Sequence, residues 1–347
     1  MFKKFLKRTV QTAVVVTFAV PALVVGQGHD IAKILGDVRK ALGAEKGEVK
    51  TLAVVGRSQR NRSDGSSSES DFEMFMELPD KFMKRDVVMA MGSTSVYRLS
   101  GFNGDGIINE VDAPPSLSTG GAVIRMMPAG GAMPGQQQTP EQAAEARKRQ
   151  LTTARQDFAR LALGMFATSS AAYPVELTYG GEAESADGKA YVINVKGEGN
   201  FAAKLFVDTK TNLPLMLSWM DKEPLTVAMG PGGGRPGGAG AGGGSGGGGG
   251  TIVMGGGGHP GMTGAPGDLE KMQKEMEERI KEAEAKRRTV EFRVFYGDYK
   301  TFNGVKLPTR IQRMVDGTPS DEMTFDRVQV NGKIDPKKFE PTKTDKK

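Results

Sequence analysis

Residues 289–339 read TVEFRVFYGDYKTF, NG, VKLPTRIQRMV, DG and TPSDEMTFDRVQVNGKIDPKKF, which are three apolar-alternating runs separated by two tight-turn pairs. Asn303-Gly304 and Asp316-Gly317 tolerate the positive φ that a two-residue type I′ hairpin turn requires. The twist of that turn also matches the twist of paired strands. The stretch therefore predicts a three-stranded antiparallel meander.

One face of this meander is expected to be apolar and the other wet, because side chains alternate along a strand. The first run places four side chains on the apolar face: Val290, Phe292, Val294 and Tyr296. In the third run the apolar phase slips between Phe325 and Val328, which a β-bulge would explain. Since bulges bend a sheet, the pattern predicts a curved, one-sided antiparallel sheet.

The N-terminus has the pattern of a secretory signal. Four basic residues within the first eight precede an apolar stretch and then small residues around Gly26. Residues 1–26 are therefore predicted to be a signal peptide cleaved after Gly26, with a site after Ala22 as the alternative. An uncleaved membrane anchor is the other interpretation, although Thr17 and Pro21 interrupt a stretch shorter than the ~20 apolar residues a spanning helix needs.

Composition excludes several function classes. Loss of the four basic residues of the signal leaves 43 of the 47 against 41 acidic residues, so the formal charge falls from +6 to about +2 and no nucleic-acid partner is expected. The chain has no cysteine, which excludes disulfides and acylation of a lipobox cysteine. The two histidines, His29 and His259, lie beside the predicted cleavage site and inside a glycine tract, so no histidine-based catalytic or zinc site is predicted.

The chain is predicted to form a single domain over residues 27–347, interrupted by flexible insertions at 112–139 and 222–267. The second insertion is mostly glycine, and such a segment loses too much entropy on ordering to join a core. Three helices are predicted, at 30–42, from Thr139 and at 268–288. The second begins with a capping box at Thr139 and Gln142 and carries an apolar stripe only in its second half. Its polar first half is a candidate partner surface.

The remaining apolar runs predict strands that precede and follow the second helix. They lie at 49–56, 71–78, 82–90, 95–99, 107–111, 175–179, 190–196, 201–208 and 213–219. Methionines are concentrated in the early strands, and their flexible thioether side chains suit either core filling or an apolar surface for ligands of varied shape.

Two chemical motifs have simpler explanations. Asn103, Asp105 and Asp112 fall at EF-hand spacing, but the first ligand position is Gly101 and the flanks are strand-like, so a hairpin turn accounts for them and no metal is predicted. Glu73 and Glu77 share a strand face and could form an acid pair, although solvated charges opposite an apolar face explain them better. No catalytic residue and no cofactor is predicted.

Strand and turn segments give the chain a family resemblance. They are FAAKLFVD at 201–208 leading into TNLP at 211–214, FNGVKLP at 302–308 and IDPKKF at 334–339. In these segments the chain resembles the outer-membrane lipoprotein carriers and sorting proteins of the LolA/LolB type. The resemblance implies an α+β fold: a curved antiparallel sheet of about eleven strands forming an open half-barrel, with an N-terminal helix and two inserted helices on the concave side.

The resemblance also implies a function, which is to hold the acyl chains of a lipid or lipoprotein in the periplasm by binding and release, without covalent chemistry. The chain is expected to be a monomer, with an inner- or outer-membrane protein as a further partner. The apolar groove is expected to be lined by Phe72, Met74, Met76, Val87, Met89, Leu205, Leu215, Phe292 and Val294. Alternation alone leaves open which sheet face forms the groove.

Two other functions stay open. An envelope sensor or adaptor on the same fold would bind a protein partner without transporting lipid. A hydrolase would need a carboxylate pair clustered in a cleft, and the lack of a placed histidine makes it the weakest of the three.

Overall fold

The computed structural model describes residues 30–43, 48–61, 66–91, 94–112, 139–185, 188–224 and 266–340. The helices are α1 (Ile31–Ala41), α2 (Pro140–Phe166) and α3 (Pro266–Lys286), and a short 3-10 turn follows at Pro336–Phe339. The strands are β1 (Thr51–Asn61), β2 (Ser67–Glu77), β3 (Lys81–Met91), β4 (Thr94–Asn103), β5 (Gly106–Asp112), β6 (Val175–Ser185), β7 (Gly188–Gly197), β8 (Ala202–Asp208), β9 (Pro214–Lys222), β10 (Thr289–Phe302), β11 (Val305–Val315) and β12 (Thr318–Val330).

All twelve strands join one open antiparallel sheet in the order β5-β4-β3-β2-β1-β12-β11-β10-β9-β8-β7-β6. The predicted α+β half-barrel class is confirmed, with twelve strands where about eleven were expected. The meander β10 to β12 lies in the middle of the sheet, since β12 pairs with β1 and β10 pairs with β9. It therefore joins the N-terminal five strands to the next four.

Both predicted hairpin turns are confirmed. Asn303 and Gly304 have φ of 48° and 84°, and Asp316 and Gly317 have φ of 49° and 77°. These are the positive values that a type I′ turn requires at both central positions. Each turn connects directly paired residues, with Phe302 opposite Val305 in the first hairpin and Val315 opposite Thr318 in the second.

The predicted bulge in the third run is also confirmed. Gly56 pairs with Phe325 and Val55 pairs with Arg327, so Asp326 is the extra residue on β12. The slip keeps the apolar side chains before and after it on the same face, since Phe325 and Val328 pack in one cluster.

Helices α1 and α2 begin at side-chain caps. Asp30 accepts a 2.9 Å hydrogen bond from the backbone N of Ala32, and Thr139 and Gln142 form the predicted reciprocal capping box. The apolar side of each helix packs on the same face of the sheet. We call this the helix-covered face and its reverse the outer face.

The main core lies between the helix-covered face and the two helices. It includes Ile34 and Val38 of α1 and Phe158 and Leu163 of α2, together with side chains from β1 to β4 and β7 to β12. Two smaller clusters lie on the outer face. One is centred on Phe75 and Met83, and the other on Val192 and Phe206.

Helix α3 is different, because none of its described side chains joins the main core. Most side chains described over residues 274–286 are exposed. Lys286 forms an ion pair with Glu282, at 2.6 Å.

Several predictions concern residues outside the described ranges. These are the signal peptide at 1–26 and nearly all of the insertions at 112–139 and 222–267. The described helices include none with the length and apolarity needed to cross a membrane.

Candidate functional site

Five of the nine predicted lining residues lie together on the helix-covered face. They belong to the main core and are at most 1% exposed: Phe72, Met74, Met76, Leu205 and Phe292. Val294 is partly buried against the same cluster. These six residues therefore belong to one apolar layer, which α1 and α2 cover in this structure.

Two predicted lining residues lie on the other side of the sheet. Val87 is directly opposite Tyr97, which packs against the outer Phe75 cluster, and Leu215 packs against the outer Phe206 cluster. The register of β8 against β9 shifts between Phe206 and Val207, so simple alternation loses the correct phase near Leu215. The side chain of Met89 lies outside the described residues.

Helix α2 is seated by aromatic and glycine contacts. The ring of Phe158 lies 5.3 Å from that of Phe82 and 5.4 Å from that of Phe102. Six residues further along α2, Gly164 meets the ring of Tyr296 so closely that a Cβ at this position would overlap it. Only glycine allows α2 to approach β10 at this distance.

Charged and aromatic side chains form a stacked row under α2. The guanidinium of Arg160 lies 5.0 Å from the Phe201 ring centroid and 4.8 Å from that of Trp219. Trp219 stacks on Phe292 with centroids 5.4 Å apart and ring planes inclined by 9°, and Arg313 lies 5.1 Å from the Phe292 centroid. We call these five residues the cation-aromatic row. It runs across β8 to β11 and includes the predicted lining residue Phe292.

The carboxylate of Asp157 on α2 contacts this row. It accepts a 2.9 Å hydrogen bond from Arg160, and its side chain is only 12% exposed. Burial raises the pKa of Asp157 to about 7, although the positive charges of Arg160 and Arg313 act in the opposite direction. Desolvation of the carboxylate therefore outweighs its ion pair.

A second buried charge cluster lies beside Phe72. Lys84 Nζ is 2.9 Å from Asp86 Oδ1, in an ion pair whose geometry does not form a hydrogen bond, and both residues are at most 3% exposed. The Lys84 ammonium also lies 5.2 Å from the Phe72 centroid. Arg98 faces Asp86 across β3 and β4, and burial is the main cause that lowers its pKa.

Neither charge cluster was predicted, although the sequence contains a signal for each. Asp157 and Arg160 lie among the apolar residues of the second half of α2. Arg313 is in phase with the apolar residues Ile311 and Val315, and Lys84 with Phe82. A charge in the apolar phase of a strand or helix is the pattern that indicates a buried polar site.

An open cleft of about 760 Å³ lies between β5 and the first half of α2. Its walls carry both signs of charge, with Asp105 and Glu110 on one side and Arg147, Lys148 and Arg155 on the other. Arg155 is bound to Asp105 at 2.8 Å. The turn at Asn103 and Gly106 is the predicted hairpin. In the described part of the chain no cluster of three potential metal ligands is present.

No protein-family model and no curated protein sequence matches the chain. Solved structures do. A LolA superfamily protein from Nitrosomonas europaea is 9% identical over 88% of this chain and 97% of its own, with a TM-score of 0.42. A DUF1329 family protein from Desulfovibrio piger is 9% identical over 89% and 97%, with a TM-score of 0.40. An outer membrane lipoprotein-sorting protein domain from Vibrio parahaemolyticus is 8% identical over 88% and 94%, with a TM-score of 0.37. The chain is thus similar to LolA superfamily and lipoprotein-sorting structures, at a level that carries no information about its ligand.

Proposed function

We propose that this protein is a periplasmic binding protein that holds the acyl chains of a lipid or lipoprotein on the helix-covered face. The observation that supports this most is the single apolar layer that extends over ten of the twelve strands under two helices. Five of the residues predicted to line the groove lie in that layer. The sequence resemblance to lipoprotein carriers and sorting proteins agrees with it.

Binding would require α2 to move off the sheet, because the lining residues are covered in this structure. An acyl chain would then replace the helix against the same side chains. Each buried methylene contributes about 0.8 kcal/mol, so a lipid with two or three chains can compensate for the lost helix packing. Flexible methionines such as Met74 and Met76 would adapt to chains of different shape.

The rest of the proposal follows from the sequence. Export by the signal at residues 1–26 would place a single interrupted domain in the periplasm, where it would act as a monomer by binding and release. No covalent step, cofactor or nucleic acid is part of this function. An inner- or outer-membrane protein would deliver or receive the ligand.

The proposal is tested by mass spectrometry of gently purified mature protein and by titration with a fluorescent acyl probe. We expect co-purifying lipid and saturable probe binding. Met74→Gln places a polar amide on the helix-covered face and should weaken probe binding by roughly tenfold. Met83→Gln is the matched control, since Met83 is equally buried but lies on the outer face. Absence of bound lipid together with no probe binding would rule out the carrier function.

The cleft beside α2 favours one alternative, an envelope adaptor that binds a protein partner. In the part of the chain that the structure describes, β5 is an edge strand of the sheet, and it borders this cleft together with the polar first half of α2. An edge strand can accept an added strand from a partner. Protein that is free of lipid and does not bind the probe would favour this function over the carrier.

A further inference from the structure

The cation-aromatic row has more hydrogen-bond donors than acceptors. Three N–H groups in it are buried and have no hydrogen-bond partner among the described residues: Nε of Arg160, Nε1 of Trp219 and Nε of Arg313. Arg160 and Trp219 are themselves more than nine-tenths buried. Buried donors in folded proteins are almost always paired, so three unpaired ones in a single row indicate a missing acceptor.

The charges of the row favour an anionic acceptor. Arg160 and Arg313 are two cations, and Asp157 is the carboxylate that hydrogen-bonds to the row. Asp221 lies further along the same strand as Trp219 and is close enough to affect Asp157. A guanidinium binds phosphate oxygens through charge-assisted hydrogen bonds. An indole N–H is a neutral donor, which can bind a neutral carbonyl.

The position of the row points to the polar end of an amphiphile. Phe292 belongs to both the row and the apolar layer, so a ligand whose chains lie on that layer would bring its polar end to the donors. Successive members of the row are about 5 Å apart, as their centroid distances of 4.8, 5.4 and 5.1 Å show. A diacyl phospholipid carries a phosphate and two ester carbonyls, which are several acceptors that a row of donors can bind together.

We infer that the two donors of the cation-aromatic row that lie on the sheet, Trp219 and Arg313, bind the ester and phosphate oxygens of an anionic diacyl phospholipid, whose acyl chains lie on the helix-covered face once α2, with Arg160, has moved away. This inference rests on the proposed function and adds the class of ligand. Arg313 would bind the phosphate, since the residue is only partly buried and its Nε has no partner among the described residues, and Trp219 would donate to an ester carbonyl.

The test offers the mature protein two lipids with identical acyl chains in mixed micelles. One is phosphatidylglycerol and the other is the neutral diacylglycerol, and the bound lipid is quantified by mass spectrometry after gel filtration. We expect the wild type to favour phosphatidylglycerol. Arg313→Gln should reduce that preference by roughly tenfold, since a charge-assisted hydrogen bond to the phosphate is lost. Trp219→Phe keeps a smaller aromatic ring but removes the N–H, and should have a smaller effect in the same direction.

Arg293→Gln is the matched control, because Arg293 lies on the same strand as Phe292 but on the outer face, where it pairs with Glu291 at 2.6 Å. Equal binding of both lipids by the wild type, or the same preference in Arg313→Gln as in Arg293→Gln, would overturn the inference but leave the proposed function intact. Binding of neither lipid would overturn both. Competition by millimolar inorganic phosphate alone would identify a free-phosphate site in place of a lipid site.

Discussion

At Asp157, burial and the neighbouring positive charges have opposite effects on the pKa of a single carboxylate. Its hydrogen bond from Arg160 favours the charged form, yet burial raises its pKa to about 7. Arg313 also favours the charged form, and Asp221 opposes it. Near neutral pH this residue therefore changes protonation at the contact between α2 and the sheet.

The raised pKa predicts how stability depends on pH. An unfolded aspartate titrates near pH 4, so the folded chain binds an extra proton at Asp157 between about pH 4 and pH 7. Its contribution to stability is therefore fully present below pH 4 and is lost as the pH rises to about 7. Denaturant unfolding should show the wild type losing about 2 to 4 kcal/mol relative to Asp157→Asn over this window. A constant difference between the two proteins across the window would contradict the prediction.

At the scale of residues, the sequence predicted well which apolar side chains are buried, but it did not predict which side chains contact each other. Phe72, Met74 and Phe292 were placed on an apolar face by alternation, and the structure buries all three. The contact of Arg160 with Trp219 could not be predicted, because it depends on how α2 crosses the sheet. Residues far apart in sequence meet only through that crossing.

Among the helices and strands, α2 determines whether the apolar layer is open. It connects the two edges of the sheet, since it follows β5 and precedes β6. It packs on the helix-covered face through Phe158, Leu163 and Met165, all of which are fully buried. A change that loosens α2 should expose the layer without altering the residues that line it.

Gly164→Ala is such a change. The added methyl group would overlap the Tyr296 ring, so α2 must shift away from β10, and we expect a loss of about 1 to 3 kcal/mol in the free energy of unfolding. If α2 covers the ligand site, acyl-probe affinity should rise several-fold, because less free energy is needed to reach the open state. Thermal unfolding and probe titration measure the two effects.

Gly36→Ala in α1 is the matched control, because no atom lies within 4 Å of the position of its added Cβ. We expect it to stabilise the protein by about 0.5 to 1 kcal/mol and to leave probe affinity unchanged. Probe affinity that falls in Gly164→Ala together with stability would show that α2 belongs to the binding surface and does not cover it.

The elements most accurately predicted from sequence are those governed by local rules. The two Asn-Gly and Asp-Gly hairpins, the bulge at Asp326 and the capping box at Thr139 each depend on a few adjacent residues. The sheet faces of Val87 and Leu215 were less predictable. Leu215 is the extra residue of a bulge in β9, and Val87 immediately precedes a bulge in β3, so alternation does not continue through either position. The bulge in β12 could be predicted because apolar residues lie on both sides of it, so the change in their alternation can be seen in the sequence.

For the molecule as a whole, the order of strands shows which parts the fold requires. Leu52 of β1 pairs with Val330 of β12, so the first and last strands of the chain are neighbours at the centre of the sheet. Removing the meander would separate the two outer groups of strands. By contrast, the segment that contains α3 leaves the sheet between two strands that are already neighbours.

This contrast predicts that residues 224–287 are dispensable for the fold. Lys222 pairs with Thr289, and the backbone N of Glu223 donates a 2.9 Å hydrogen bond to the carbonyl of Arg288, so the base of a β9–β10 hairpin is already formed. Replacing 224–287 with Asn-Gly should preserve cooperative unfolding. Stability should be equal or greater by on the order of 1 to 3 kcal/mol, because a shorter loop costs less closure entropy.

A variant with a Gly-Ser segment of equal length in place of 224–287 separates loop length from loop content. Both variants should retain acyl-probe binding, since no described side chain of α3 belongs to the main core. Loss of probe binding in both, with folding preserved, would mean that the replaced segment forms part of the ligand site. Loss of cooperative unfolding in both would mean that the chain is not a single domain interrupted by an insertion at this point.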